Sequence, residues 1–299
     1  MLKSYTDLTS RIRGCGRRSL SVGAAHDRDL LESVAQASKI AGFHPILFGD
    51  AKKIETILKD ISYAGDCDVV DEKDDSASLA ASVKCVHDGQ ASVLMKGQVN
   101  TSDFMRAVLD KAHGLRSGNL LSHLAAFEVG GFDRLLFVTD GGINIAPDLS
   151  EKKEILINAL GALHRLGYDN PKVALLTANE QVNPKAPATV DAAEIANMWR
   201  EGTFGSDCVV EGPIALDVAL SAEAAAHKGI GSRIAGATDL FLVSNIEVGN
   251  VLGKSMANIA GAKMAGVVLG ATAPIVLSSR AENAASKLNS ILLACGCAA

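Results

Sequence analysis

Two arginines directly follow a predicted structural break or the end of an apolar run. Arg280 directly follows the apolar run PIVLSS (274–279), and Arg116 follows a break in the segment LRSGNLLSH. A guanidinium is a planar fork of donors that matches a phosphate group, and each charged hydrogen bond contributes about 1.5–3 kcal/mol. Two such arginines suffice to orient an anion, although a surface ion pair is the alternative for either one. The pair therefore predicts a site for a phosphorylated ligand.

Further polar residues follow most of the predicted strands. In open parallel sheets ligands bind beyond the carboxyl ends of the strands, so these positions are the informative ones. They are Lys96, Gly97, Asn100, Thr101, Asp140, Gly141, Gly142, Asn144, Asn179, Glu180, Glu211, Gly212, Pro213, Ser244, Asn245, Glu247, Gly249, Asn250, Ser278 and Ser279. Each one alone is more typical of a turn or helix cap. The prediction of a shared site depends on the number of strand ends that carry such polar residues.

Two nucleotide-binding motifs are not met. The segment EVGNVLGKS (247–255) resembles a P-loop, but Gly249 stands four residues before Gly253, where the motif requires five. A close approach of Gly249 to a ligand, with Lys254 inside the following helix, stays open. GIGSRIAG (229–236) lacks the third glycine and the preceding strand of a dinucleotide fingerprint, which disfavours nicotinamide chemistry.

Strands alternate with helices for most of the length, which indicates parallel sheets with crossover helices. The predicted strands are 19–26, 44–50, 67–71, 91–97, 134–140, 172–179, 208–213, 239–245, 266–271 and 274–279. Ten strands are many for one twisted sheet. We therefore predict two α/β domains, the first formed by residues 1–142 plus 278–299 and the second by residues 143–277.

Composition narrows the class of protein. The 299 residues carry a formal net charge of −5 and only 4% aromatics, which does not favour nucleic-acid binding. No apolar run approaches the roughly 20 residues of a membrane span. The N-terminus lacks the apolar core of a secretory signal; an amphipathic first helix is favoured over a mitochondrial presequence. The six scattered cysteines show no metal-ligand spacing and are expected to be reduced thiols of a cytoplasmic protein.

Several segments together carry a resemblance to a known family. These are, in order, MKGQVNTSDFMRAVL, LRSGNLLSH, FVTDGGINIAP, VEGPIALDVAL, GNVLGK and VLSSRAE. The ordered set resembles the phosphate acetyl/butyryl transferase family, and is most similar to its phosphate butyryltransferase branch. The resemblance runs from about the first strand to the end of the chain.

The resemblance implies both an activity and a fold. Family members transfer an acyl group between coenzyme A and inorganic phosphate by direct attack in a ternary complex. They are homo-oligomers, dimers or larger, with two α/β domains of mainly parallel sheets flanked by helices, similar to isocitrate and isopropylmalate dehydrogenases. Their active site lies in the cleft between domains. Coenzyme A and phosphate are substrates, and no cofactor, metal or covalent acyl-enzyme is expected.

The resemblance also implies residue roles. Arg280 would bind phosphoryl oxygens, and Ser279 would donate a hydrogen bond to the carbonyl oxygen or the sulfur as charge develops. The remaining substrate-binding candidates are Arg116, Asn144, Lys96, Asn100, Thr101, Asn245, Gly249, Asn250 and Lys254.

The catalytic base is where this sequence departs from part of the family. The acetyltransferase branch has an aspartate seven residues after its serine, and that position here is Ser286. The butyryl branch more often has a carboxylate directly after Ser-Arg-Ala, which is Glu282. A thiol with a pKa near 8.5 needs only modest help to ionise, so the base is either Glu282 or dispensable.

Two other functions compete with acyl transfer. One is a non-catalytic protein that binds coenzyme A or acyl phosphate, which the unmatched base leaves open. The other is a decarboxylating dehydrogenase of the same fold, which would need a set of metal-binding aspartates. At the end of the predicted strand 67–71, Asp71 and Asp75 have a D-x-x-x-D spacing, but the acidic run DEKDD (71–75) is more typical of a solvated helix start, so this alternative is disfavoured.

Overall fold

The computed structural model describes residues 1–14, 18–277 and 283–298. The helices are α1 Tyr5–Arg13, α2 Arg28–Ala41, α3 Ala51–Asp60, α4 Asp75–His87, α5 Thr101–Val108, α6 Leu149–Arg165, α7 Pro187–Arg200, α8 Leu216–Leu220, α9 Ala222–His227, α10 Ile246–Asn258 and α11 Ala284–Cys297. The strands are β1 Ser19–Gly23, β2 His44–Gly49, β3 Asp68–Asp71, β4 Val93–Lys96, β5 Ser122–Glu128, β6 Leu136–Thr139, β7 Lys172–Leu176, β8 Val209–Ile214, β9 Leu240–Leu242, β10 Lys263–Leu269 and β11 Ile275–Val276.

The chain divides into two compact units. The terminal unit comprises Ser4–Asn119 and Lys263–Ala299, and the central unit comprises Leu120–Ala262 with Met1–Lys3. The sequence analysis instead placed boundaries at residues 142 and 278. The positions differ because β6 pairs with β9 and β11 pairs with β4, which places β6 in the central unit and β11 in the terminal unit.

The terminal unit contains a mainly parallel sheet. Its strands lie in the order β3-β2-β1-β4-β11-β10. Neighbouring strands from β3 to β11 are parallel, and β10 is antiparallel to β11. Helix α2 begins because the Asp27 side chain accepts the Leu30 N–H, and it ends at Gly42, whose φ of +75° suits a residue without a Cβ. Leu30 and Leu31 face the core from this helix, and strand β1 is buried along most of its length.

The central unit repeats this architecture with five strands. They lie in the order β5-β6-β9-β7-β8, with β5 antiparallel to β6 and the others parallel. Helix α6 begins with a capping box, in which Asp148 and Glu151 each accept the other's backbone N–H. Its buried face includes Ile155 and Leu156. Both units are therefore α/β, with mainly parallel sheets and flanking helices, as the sequence predicts.

All ten predicted strands occur, but β5 was not predicted. Its sequence SHLAAFE contains two alanines and no β-branched residue, so its strand conformation depends on pairing with β6. None of the helices in the described ranges has both the length and the apolar character needed to cross a membrane.

Candidate active site

Strand register brings the ends of three strands of the terminal unit to one edge. Gly23 of β1 is opposite Lys96 of β4, and Met95 of β4 is opposite Val276 of β11. Because all three strands are parallel, the chain leaves β11 at Leu277 on the same edge as Lys96. The predicted catalytic residues Ser279, Arg280 and Glu282 follow in the sequence and lie outside the described residues.

Lys96 is a buried cation at this edge, with 4% of its surface exposed. Its Nζ donates to the carbonyl oxygens of Gly97 at 3.1 Å and Val99 at 3.0 Å. A Cβ on Gly97 would overlap the carbonyl oxygens of Gly23 and Ala24, so only glycine fits this close approach. The loop after β4 is thus folded around the ammonium group, which stays buried because backbone carbonyls solvate it.

Asn100 and Thr101 begin the next helix. Asn100 occupies the N-cap position of α5 but its side chain does not cap the helix, and Thr101 is the first helical residue. Both residues are exposed. The structure therefore places these two candidates one loop away from Lys96, on the same side of β4.

Arg116 is held beside the segment that leads into β11. It forms an isolated antiparallel bridge with Ala271, and the Leu115 carbonyl accepts the Thr272 N–H at 2.9 Å. The Ser117 hydroxyl also donates to the Gly270 carbonyl. Arg116 is exposed, so its guanidinium is available to solvent and ligands while its backbone is fixed.

In the central unit, a buried carboxylate organises the segment after β6. Asp140 is 2% exposed. Its Oδ1 accepts the N–H groups of Gly142 at 2.8 Å and Ile143 at 2.9 Å. Its Oδ2 accepts the His123 N–H at 3.0 Å, the Asn144 N–H at 3.3 Å and the Asn144 Nδ2 at 2.7 Å. We call residues 140–144 the Asp140 turn.

Burial lowers the pKa of the His123 imidazole from the usual value, and the nearby Asp140 carboxylate only partly opposes this shift. Its Nδ1 is buried without a hydrogen-bond partner in the described part of the chain. The ring lies against the turn, since a Cβ on Gly142 would be 2.9 Å from the His123 Cγ.

Asn144 holds the turn together rather than presenting its amino group. Its Nδ2 donates both to Asp140 Oδ2 and to the Leu121 carbonyl at 2.8 Å. Both amide hydrogens are consumed by these bonds. A direct role in binding substrate would therefore fall to its Oδ1 atom.

The remaining candidates lie on α10, which rests against the Asp140 turn. Asn245 caps this helix by accepting the Val248 N–H at 3.0 Å. Gly249 is buried, and a Cβ on it would lie 2.6 Å from the Gly141 Cα. The structure thus gives Gly249 a packing role against Gly141, and its approach to a ligand stays a prediction. Asn250 and Lys254 are exposed.

The structure gathers the described candidates into two groups, one in each unit. Lys96, Asn100, Thr101 and Arg116 belong to the terminal unit, and Asn144, Asn245, Gly249, Asn250 and Lys254 belong to the central unit. Sequence reasoning noticed Asp140 as a strand end but did not select it. Its available signal was a carboxylate followed by two glycines and an asparagine, which is a pattern that folds amides around an anion.

No metal centre is evident in this arrangement. Among residues 1–14, 18–277 and 283–298, no three His, Cys, Asp or Glu side chains are grouped so that they could hold a metal ion.

Comparison with known proteins defines the class. Residues 68–295 match the family model described as "Phosphate acetyl/butaryl transferase". The chain therefore belongs to the phosphate acetyl/butyryl transferase family, as its motifs suggested.

Individual relatives sharpen this assignment. The chain is 42% identical over 295 residues to the phosphate butyryltransferase of Clostridium acetobutylicum, and the match covers 98% of each protein. It is 43% identical over 277 residues to the probable phosphate butyryltransferase of Bacillus subtilis, covering 93% of this chain and 92% of that one. A solved branched-chain phosphotransacylase from Enterococcus faecalis superposes with a TM-score of 0.83 at 31% identity, covering 94% and 98%. The predicted likeness to the butyryltransferase branch is confirmed.

Proposed function

We propose that this protein transfers a short acyl group between coenzyme A and inorganic phosphate. A phosphate oxygen attacks the thioester carbonyl carbon, a C–O bond forms, the C–S bond breaks, and coenzyme A leaves as a thiolate that takes up a proton. The products are acyl phosphate and coenzyme A. Family membership over most of the chain, with relatives named as butyryltransferases, is the observation that carries this proposal.

The geometry of the terminal unit is consistent with a phosphate site. Lys96 lies at the carboxyl end of β4, beside the point where the chain leaves β11. Arg116 is bridged to Ala271, in the segment that leads into β11. Two cationic residues thus flank the strand that precedes Ser279 and Arg280. Positioned cations bind and orient the phosphate anion for attack, and they stabilise the negative charge that the reacting groups carry in the transition state.

The catalytic roles proposed for the segment after β11 follow from chemistry and family resemblance. Arg280 orients the phosphate through two parallel hydrogen bonds, and Ser279 donates to the developing oxyanion or to the sulfur. Glu282 acts as the proton acceptor for the coenzyme A thiol in the reverse direction. We expect Glu282→Gln to lower kcat/KM for coenzyme A and acyl phosphate several-fold. Identical kinetics of both forms across pH would remove Glu282 from the mechanism.

The central unit is proposed to contribute binding contacts from α10. Asn250 and Lys254 are exposed there, as a ligand contact requires. We assign Gly249, Asn245 and Asn144 supporting positions around them, because their groups are engaged within the unit.

The substrate preference and assembly are also proposals. The relatives named above act on butyryl or branched acyl groups by name, which supports butyryl or a similar short acyl group. Each extra methylene buried is worth about 0.8 kcal/mol, so neighbouring chain lengths should be accepted less well. We further propose a cytoplasmic homo-oligomer that needs no cofactor besides its substrates.

A thioester-loss assay tests this function. Purified protein is incubated with acetyl-, propionyl-, butyryl- or isobutyryl-CoA, with and without phosphate, and acyl phosphate is trapped with hydroxylamine. We expect loss that requires phosphate and yields trapped acyl phosphate. Ser279→Ala should lower kcat about 100-fold or more, whereas the matched change Ser10→Ala on the exposed face of α1 should leave it nearly unchanged.

Three outcomes would contradict the proposal. Thioester loss without phosphate would identify a thioesterase. Binding of coenzyme A without turnover of any acyl-CoA would identify a binding protein. Hydride transfer to a nicotinamide cofactor would identify a dehydrogenase.

A further inference from the structure

The Asp140 carboxylate fixes the direction of three successive peptide groups. The N–H groups of Gly142, Ile143 and Asn144 all point at it. In a trans peptide the C=O and N–H point in opposite directions. The inward N–H of Gly142 therefore turns the Gly141 carbonyl outward, away from the carboxylate.

The outward face of the turn is the surface on which α10 rests. The Asn250 Nδ2 lies 3.5 Å from the Gly141 carbonyl oxygen, and the Ile246 N–H donates to the Ile145 carbonyl at 3.0 Å. Backbone meets backbone between Gly141 and Gly249, where a Cβ on Gly141 would lie 2.8 Å from the Gly249 carbonyl carbon. The first turn of α10 can lie this close only if the Asp140 turn keeps its shape.

We propose that Asp140 is a positioning residue for the acyl-transfer reaction. Its carboxylate holds the Asp140 turn, the turn holds the first turn of α10, and the helix holds Asn250 and Lys254 where they bind substrate. This inference rests on the proposed function, because it assigns Asp140 a role in a site that contacts coenzyme A or its acyl group. Asp140 itself is 2% exposed, so we assign it no direct contact with substrate.

The role requires a carboxylate and not merely a polar side chain of the same size. Oδ1 and Oδ2 both accept from N–H groups, so both atoms must be acceptors. An asparagine at this position would turn its NH₂ group towards donors on one side or the other. If the NH₂ group takes the place of Oδ2, the 2.7 Å bond from the Asn144 Nδ2 becomes a contact between two donors. If it takes the place of Oδ1, the N–H groups of Gly142 and Ile143 lose their acceptor.

The central test compares Asp140→Asn with wild type. For the variant we expect KM for butyryl-CoA to rise about tenfold while kcat falls less than threefold, because binding residues move but the reacting groups of the terminal unit do not. Thermal unfolding and circular dichroism verify that the measured protein is folded.

A matched control separates positioning from a loss of stability. Asp148→Ala removes the capping box of α6 and should lower Tm, and the hydrogen bonds that it removes are made with Glu151 and not with the Asp140 turn. We expect its KM for butyryl-CoA to equal that of wild type. If Asp140→Asn is not recovered folded, Gly141→Ala tests the same contact from the other side, because its new Cβ pushes the turn away from Gly249.

The readouts also separate this inference from the proposed function. The dissociation constant of coenzyme A, measured by calorimetry, should rise about tenfold in Asp140→Asn even if the wild-type protein shows no turnover. That result would retain the positioning role while refuting acyl transfer. A lowered Tm with unchanged KM and unchanged coenzyme A affinity, in Asp140→Asn or in Gly141→Ala, would overturn the inference and leave Asp140 a purely structural residue.

Discussion

Lys96 and Asp140 are buried residues of opposite charge, and each lies at the end of a strand. Lys96 is the last residue of the buried strand β4, and Asp140 directly follows the buried strand β6. Both residues are almost completely buried. The Lys96 ammonium group donates hydrogen bonds to the carbonyl oxygens of Gly97 and Val99. The Asp140 carboxylate accepts hydrogen bonds from the N–H groups of Gly142, Ile143 and Asn144. A buried charge is tolerated in both places because the backbone of the next few residues solvates it.

The difference between the two positions lies in what each charge supports. The Lys96 loop continues into α5 beside the strand that leads to Ser279 and Arg280, so we propose that the cation there binds an anionic substrate. The Asp140 turn supports α10 through contacts between glycines, so its anion serves the shape of the unit. The comparison teaches that a buried charge at a strand end is catalytic or architectural according to what surrounds it.

The largest expected effect is that of Lys96→Met, which tests the catalytic side of the comparison. Removing the cation leaves two buried carbonyl groups without their donor and removes positive charge from the proposed phosphate site. We expect kcat/KM for phosphate to fall about 10²- to 10³-fold. Steady-state kinetics measures this, with exposed Lys59→Met as the control. Kinetics equal to wild type would make Lys96 as architectural as Asp140.

Arg116→Ala should have the next largest effect. A guanidinium that binds phosphate contributes about 1.5–3 kcal/mol, so KM for phosphate should rise roughly 10- to 100-fold with little change in Tm. Arg116→Lys should recover only part of this, since an ammonium cannot form the planar fork. The control is Arg28→Ala, which removes an exposed pair with Glu32. An Arg116→Ala variant with wild-type KM would identify Arg116 as a surface residue.

Gly249→Ala tests the architectural side. Its new Cβ would lie 2.6 Å from the Gly141 Cα, so α10 must shift, at a cost of about 1–3 kcal/mol in the free energy of unfolding. Gly161→Ala in α6 is the matched control, because its Cβ would meet nothing closer than Arg165 Nη1 at 3.7 Å. That control should gain about 0.5–1 kcal/mol from helix propensity. Urea unfolding measures both. Equal stability of the two variants would contradict the close contact.

The smallest effect is a pH dependence that arises from His123. Its pKa is lowered in the folded protein, so the unfolded chain binds more protons below the unfolded value near 6.5. Stability should therefore fall as pH drops below about 6.5, by no more than about 1.4 kcal/mol per pH unit, the limit for one proton. Urea unfolding of wild type and His123→Gln between pH 7.5 and 5.5 should show a shallower slope for the variant. Parallel slopes would mean that Asp140 offsets the burial of the imidazole.

Much of the fold was readable from local pattern. Apolar runs followed by polar residues predicted ten strands, because a strand buried on both faces needs a continuous apolar run wherever it lies in the sheet. Strand β5 was missed since SHLAAFE has little strand preference of its own and is stabilised by antiparallel pairing with β6. The domain boundaries differ for the same reason, as pairing between strands cannot be read from either strand alone.

The sequence by itself determined the family, the α/β class and the residue types that can bind a phosphate, because motifs and hydrophobic periodicity are local properties of the chain. Only the tertiary structure decided which of those residues are free to meet a ligand. The sequence predicts Asn144 as a ligand contact, but both hydrogens of its amide group bond to Asp140 and Leu121. Gly249 resembles part of a phosphate-binding loop in the sequence, and in the structure it packs on Gly141. A polar group's hydrogen-bond partners come from segments distant in the chain, and they are fixed only when those segments meet.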